Sequence, residues 1–180
     1  MRISRHETQL GDKAYVVRGL DAETAGPSDA ALAYDPTFVG LLLHSWQNRL
    51  GTSLSPSGLD VRAAARWIYE DAPFCLLVHN TSSDPRFVYA NLTAQACFEY
   101  DWDAITRLPS RMSADISDQP QRQGFVDTVS RQGFATGYRG LRVSRSGRRF
   151  WIEDVTMWQL TDASDTLRGQ AAVYARWTDA

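Results

Sequence analysis

The sequence predicts an α+β fold in which an antiparallel sheet cups several short helices and is preceded by N-terminal helices. Three observations carry this reading. Capped segments with a 3.6-residue apolar period occupy 35–70. A near-continuous apolar run at 74–79 is followed by a polar turn and a second short run at 86–90. The final third, from Phe134 onward, is rich in aromatic and β-branched residues broken by turn signals. At 180 residues, 43% hydrophobic and 22% charged, the chain suffices for one domain with a full core.

Composition narrows the function classes. A net charge of −2 gives no global field to attract nucleic acid or an anionic membrane surface. No stretch approaches the ~20 apolar residues of a membrane span, and the N-terminus lacks the apolar core of a signal peptide. Cys75 and Cys97 lie in apolar runs and read as small buried hydrophobes in a reducing compartment. The expectation is a cytoplasmic protein with neither a nucleic-acid nor a membrane partner.

Along the chain, residues 1–34 read as a loosely ordered segment, with a short strand at 13–20 and a linker at 21–31. A helical extension over 35–71 follows. Asp35 caps a helix that has Pro36 at its first position, and Phe38, Leu41, Leu42, Ser45 and Trp46 form one stripe. Ser55 to Gly58 breaks the chain before a second helix at 60–70 carrying Ala64, Trp67 and Ile68. The core, 72–180, opens with the hairpin strands at 74–79 and 86–90. Asn91 and Asp101 each cap a short helix, and a longer helix at 119–132 turns Phe125, Val126 and Val129 inward before Gly133 stops it. Strands at 134–144, 148–160 and 170–177 complete a five-stranded sheet, with Arg145-Ser146-Gly147 as a tight turn.

Two strands, short helices and three long strands are the order of a PAS domain. Ala72-Pro73-Phe74, Phe87-Val88-Tyr89-Ala90-Asn91 and Phe98 to Leu108 resemble the opening strand, second strand and helical turn of that fold. More narrowly, the chain resembles the bacterial, stand-alone MEKHLA proteins, a PAS-like family. The resemblance rests on Asp84 to Asn91, Leu108 to Ala114, Gly147 to Ile152, and Gly169-Gln170-Ala171-Ala172 with Trp177, and it covers about 38–177 as one domain. The six-letter string behind the family name is absent. Related domains end plant class III homeodomain–leucine zipper regulators, so the resemblance implies sensing or regulated assembly rather than chemistry.

Catalytic and cofactor motifs are not found. His6, His44 and His79 are far apart, and no Cys or His spacing matches a zinc site. Haem, which PAS domains hold through a histidine on the longer helix, finds none at 119–132. Photoactive flavin domains of this fold use a cysteine where this chain reads Leu108-Pro109-Ser110-Arg111-Met112. No cofactor is expected. There is no nucleophile elbow, no glycine-rich phosphate loop, and no Cys–His pairing close enough to react.

What remains is the sheet's inner face. Unbroken alternation puts Phe150, Ile152, Asp154, Thr156, Trp158 and Leu160 on one side of their strand. Either this side lines a ligand cavity oriented by Asp154 and Thr156, or it is a packed core in which Asp154 bonds a backbone group. Arg111 and His79 are placed at the cavity's border, and Asn91, Phe125 and Tyr138 complete the candidate lining. The opposite side exposes Trp151 and Met157 to cover by a helix or a partner. Arginines 142, 145, 148 and 149 surround one hairpin tip, as an anion site or a solvated turn. Three functions follow: a regulatory module binding a small organic ligand and signalling to a separate protein partner; a dimerisation or interaction module anchored by Trp46, Trp67 and Trp151; and a small enzyme using Asp154 with His79.

Overall fold

The computed structural model describes Leu20 and residues 30–180. The strand expected at 13–20 and most of the linker lie outside this range. Ala30–Tyr34 form a 3₁₀ turn rather than linker, and Leu20, Leu32 and Ala33 are buried in the core.

Capping decides where the helices begin. Asp35 accepts from the Thr37 backbone N–H at 2.7 Å and starts α1 (Pro36–Leu50); Asp60 does the same from Ala63 for α2 (Val61–Glu70). After β1 (Cys75–His79) and β2 (Phe87–Ala90), Asn91 caps α3 (Leu92–Phe98) and Asp101 caps α4 (Trp102–Ile105). The longer helix α5 (Gln119–Gln132) ends at Gly133, whose φ of 85° closes the last turn at no steric cost.

The strands β3 (Phe134–Val143), β4 (Arg149–Thr161) and β5 (Leu167–Tyr174) follow, and the antiparallel sheet runs β2-β1-β5-β4-β3. A sixth strand, β6 (Arg176–Asp179), corrects the expected five. The stretch anticipated as one strand bends at Ala175. β5 therefore pairs with Thr156 to Thr161 of β4, and β6 with Phe150 to Glu153.

The same point on β4 overturns the predicted alternation. Asp154 is left-handed at φ 51°, and in the ladder Tyr138 faces Val155 whereas Gly140 faces Ile152. Two residues of β3 thus span three of β4, a bulge that reverses the facing of every later side chain. Asp tolerates this backbone region better than most residues. Phe150 and Ile152 face the short helices, and beyond the bulge Val155 and Met157 do so instead. Trp158 and Leu160 face the other way, into a second core.

That second core holds α1 and α2 against the back of the sheet. Phe38 packs on Tyr89, and Trp46 meets Trp158 edge-on at 4.8 Å. The helical extension is thus the outer layer of one three-layer arrangement: α1 and α2, the sheet, then α3 to α5. Among the described residues, no helix is long and apolar enough to cross a membrane.

Candidate functional site

Between the sheet's inner face and α5 lies a cavity of about 60 Å³. Its walls come from β1 (Leu77, His79), β4 (Ile152, Val155, Met157), β5 (Ala172, Tyr174) and α5 (Arg122, Phe125, Val126), with Phe87 and Phe98 closing one end. The space suits a few water molecules or a very small organic group, below the ~300–1,000 Å³ of drug-sized sites. An outer cleft of about 460 Å³ adjoins it, between the 83–85 turn, Ser110 and α5; His79, Arg122 and Val126 line both spaces and form the mouth.

The mouth carries the unusual electrostatics. Buried Arg142 donates to Asp118 Oδ2 at 3.0 Å, and both side chains are under 8% exposed. Tyr138 also donates to that carboxylate, and Arg142 donates to the Tyr138 hydroxyl at 3.3 Å. Both bonds to Asp118 converge on the one oxygen, Oδ2. Arg122, one turn into α5, donates to Ser110 Oγ at 2.9 Å, and no carboxylate among the described residues forms an ion pair with it. Burial, then repulsion from Arg142, pushes its pKa down to about 10, so it stays charged at neutral pH. Two guanidinium groups and one carboxylate leave one positive charge uncompensated.

His79 is 7% exposed. Its Nδ1 lies 2.9 Å from the Asn80 carbonyl, which can only accept, so Nδ1 carries the proton and Nε2 is a bare acceptor. No partner reaches Nε2, and burial holds the ring's pKa down at about 4. Gln170 stands opposite it in the β1–β5 register; its Nε2 donates to Ser130 Oγ, and its Oε1 is likewise unpartnered. Deeper in, Cys75 and Cys97 are free and buried beside Tyr174. The Cys97 contact and burial raise the Cys75 thiol, and burial raises the Tyr174 phenol.

The structure brings together His79, Phe125 and Tyr138 from the expected lining, and Phe150 packs behind them on Phe98. Five other expectations are corrected. Asp154 sits at the bulge with a 70% exposed side chain, pairs with Arg176 and does not line the cavity that His79 lines. Thr156 and Trp158 lie beyond the bulge, on the α1 side or edge of the sheet, with Trp158 sealed in the back core. Arg111 lines the outer cleft, not the inner cavity; it is exposed there and forms a two-pronged pair with Asp84. Asn91 is structural: it caps α3 while accepting from Leu76 N–H and donating to the Ile68 and Phe74 carbonyls.

The anchors expected at an interface already have partners. Trp46 packs on Trp158, Trp67 on Phe74, and Trp151 lies under the Arg139 guanidinium at 3.8 Å. The hairpin arginines are also matched to acids: Arg145 to Asp101, Arg148 to Glu99 and Asp179, Arg149 to Asp115. Met157 needs no outside cover, because the bulge turns it into the cavity.

Arg122 is absent from the expected lining, and Arg142, expected at the hairpin tip, lines the cavity instead, though signals for both existed. Residues 122, 125, 126 and 129 share one helical stripe, and Arg142 shares strand parity with Tyr138.

A five-stranded core of order 2-1-5-4-3 around short helices, enclosing a small cavity, defines a PAS-type domain. The MEKHLA domain model matches residues 36–179, and the chain belongs to the MEKHLA domain family. It is 24% identical over 139 residues to the homeobox-leucine zipper protein ATHB-14 of Arabidopsis thaliana and 23% over 136 residues to ATHB-9 of the same plant. Each alignment covers 76% of this chain and 16% of the plant protein, so the chain spans about a sixth of those relatives. Among solved structures, a PAS domain from Colwellia psychrerythraea superposes with a TM-score of 0.54 at 15% identity, over 64% of this chain and 92% of that one. An RNA-binding light-oxygen-voltage receptor gives 0.56 at 19%, over 71% and 35% respectively.

Proposed function

We propose that this domain is a sensory or regulatory module that takes a small organic ligand between the sheet and α5 and signals it through protein contacts on the α1–α2 side. The observation that carries the reading is the pairing of consecutive residues across the bulged strand. Met157 lines the cavity, and Trp158, next in the chain, packs beneath α1 with its indole N–H on Ser45 Oγ at 3.3 Å. A ligand that displaces Met157 must move the strand segment that seats α1, because close-packed interiors have few soft alternatives.

The proposed ligand is small. The cavity volume and the absence of a histidine from α5 both favour a compact metabolite over haem or flavin, and no catalytic step is assigned. Of the two remaining readings, interaction without a ligand is weaker, since Trp46, Trp67 and Trp151 are already spent on internal contacts. Catalysis by Asp154 with His79 has less support, since Asp154 is exposed and paired with Arg176.

The chain's three methionines supply the test. With ¹³C-methyl-labelled methionine, Met157 reports the cavity and exposed Met112 is an internal control. A fractionated small-molecule cell extract is expected to shift the Met157 methyl and leave Met112 in place. If no fraction moves Met157 selectively, the ligand reading fails.

A further inference from the structure

Resting on the ligand reading above, we propose that the ligand is a short-chain monocarboxylate, its carboxylate on Arg122 at the mouth and its hydrocarbon tail in the inner cavity. The head group follows from the charges along the two connected spaces. The charged side chains that line them are Asp84, Arg111, Arg122 and Arg142. Asp84 is matched to Arg111 and Arg142 to Asp118, while burial keeps His79 neutral. Among the described residues, Arg122 donates to the neutral Ser110 Oγ and pairs with no acid. One positive charge is left over.

That charge stands where the two spaces meet. Arg122 Nη2 reaches Ser110, which lines the outer cleft, and the charges of Arg142 and Tyr138, which line the inner cavity, act on the same guanidinium. Arg122 is half-buried rather than sealed, so a solute can reach it. His79, by contrast, is buried with its ring beside the Gln170 amide and takes no part in the contact.

A guanidinium with one donor on a serine keeps most of its five, in the planar fork that takes a carboxylate bidentately. Leaving it unpaired in a low-dielectric wall is costly, and a single anion offsets it. A phosphate monoester would bring nearly two negative charges to a place with one to match.

The tail follows from the walls. Val126 lines both spaces, and beyond it Phe125, Ile152, Val155 and Met157 present apolar surface. A volume of about 60 Å³ is well under the ~150 Å³ that takes up a benzene, and it suits a tail of roughly three or four carbons. Tyr138 and Arg142, at the polar edge of that wall, are already bonded to Asp118 and to each other, so no second polar group is called for.

Four probes separate the claims, read by the Met157 methyl and by calorimetry on the full chain. These are isovalerate, isovaleramide without the charge, acetate without the tail, and inorganic phosphate. Isovalerate is expected to bind at least tenfold tighter than each of the others, since a charge-assisted hydrogen bond and the burial of three carbons are each worth about that factor. Arg122→Gln should erase the preference over the amide. Arg122→Lys, which keeps the charge without the fork, should retain part of it and serves if the glutamine variant does not fold. Equal binding of isovaleramide overturns the charge assignment, equal binding of acetate the tail assignment, and tighter phosphate the carboxylate; a shifted Met157 methyl in any of these leaves the cavity reading standing. If all four leave Met157 unmoved while a cell extract shifts it, the ligand class is wrong; if the extract also fails, the cavity reading falls with it.

Discussion

Trp158 donates its indole N–H to Ser45 Oγ at 3.3 Å, joining the back of β4 to the middle of α1. The bond is buried on both sides, and the indole ring is among the largest side chains with no solvent exposure. Trp158→Ala is expected to cost about 3–5 kcal/mol, the range for deleting a large core aromatic. Ser45→Ala should cost about 1–3 kcal/mol, because it strands the indole N–H. Urea denaturation measures both. A loss below about 1 kcal/mol for Trp158→Ala would mean the N-terminal helices do not form the back core.

The Asp118–Arg142 pair behaves differently from the other ion pairs. Removing one member, as in Asp118→Asn, leaves a guanidinium buried without its counter-charge and should destabilise by about 3–5 kcal/mol. Arg111→Ala breaks a pair whose two side chains are about half exposed and should change stability by less than about 1 kcal/mol. Similar losses from the two variants would contradict the assigned burial.

His79 predicts a window of acid sensitivity. Its pKa falls from 6.5 unfolded to about 4 folded, so the unfolded state binds the extra proton. The stabilisation is fully present above pH 6.5 and is lost as pH falls through 4, on the order of 3 kcal/mol in total. Glu99 and Asp162, both held at about 2 chiefly by serine hydroxyls, lose their contributions in the same direction but mostly below pH 4.5. Denaturation between pH 7 and 4.5 should therefore show a slope in the wild type that His79→Gln flattens. An unchanged slope would mean that the ring is not held neutral.

Gly140 is constrained by Tyr138. The two residues share a strand face, and a Cβ at 140 would overlap the Tyr138 ring, which is stacked on Phe125 at 4.7 Å. Gly140→Ala should push the ring off α5, weaken its bond to Asp118 and cost about 1–3 kcal/mol. Near-ultraviolet circular dichroism should change with it. Unchanged stability and spectrum would show that the ring has room to turn aside.

The helices were legible because each announces itself locally. Asp35, Asn91 and Asp101 cap the helices they were expected to cap, Asp60 caps the helix expected at 60–70, and α5 has its expected bounds at 119 and 132. The hairpin strands were legible from composition. The site was less so, for one physical reason: strand parity carries information only until a bulge. The extra residue at Glu153–Asp154 has no sequence mark beyond two adjacent acids in an otherwise apolar strand, and it puts Val155 and Met157 in the cavity wall in place of Thr156 and Trp158. Arg111 was misplaced because its partner, Asp84, comes from a turn 27 residues earlier in the chain, a proximity that only the fold creates.

The most direct measurement is a crystal structure of the protein as purified from cells, at a resolution that resolves ordered water. The account predicts non-protein density reaching from the Arg122 guanidinium inward to Met157 and Val155, with Trp158 on the opposite face of the sheet. A cavity filled by rotated side chains, or Trp158 and Asp154 facing α5, would contradict it.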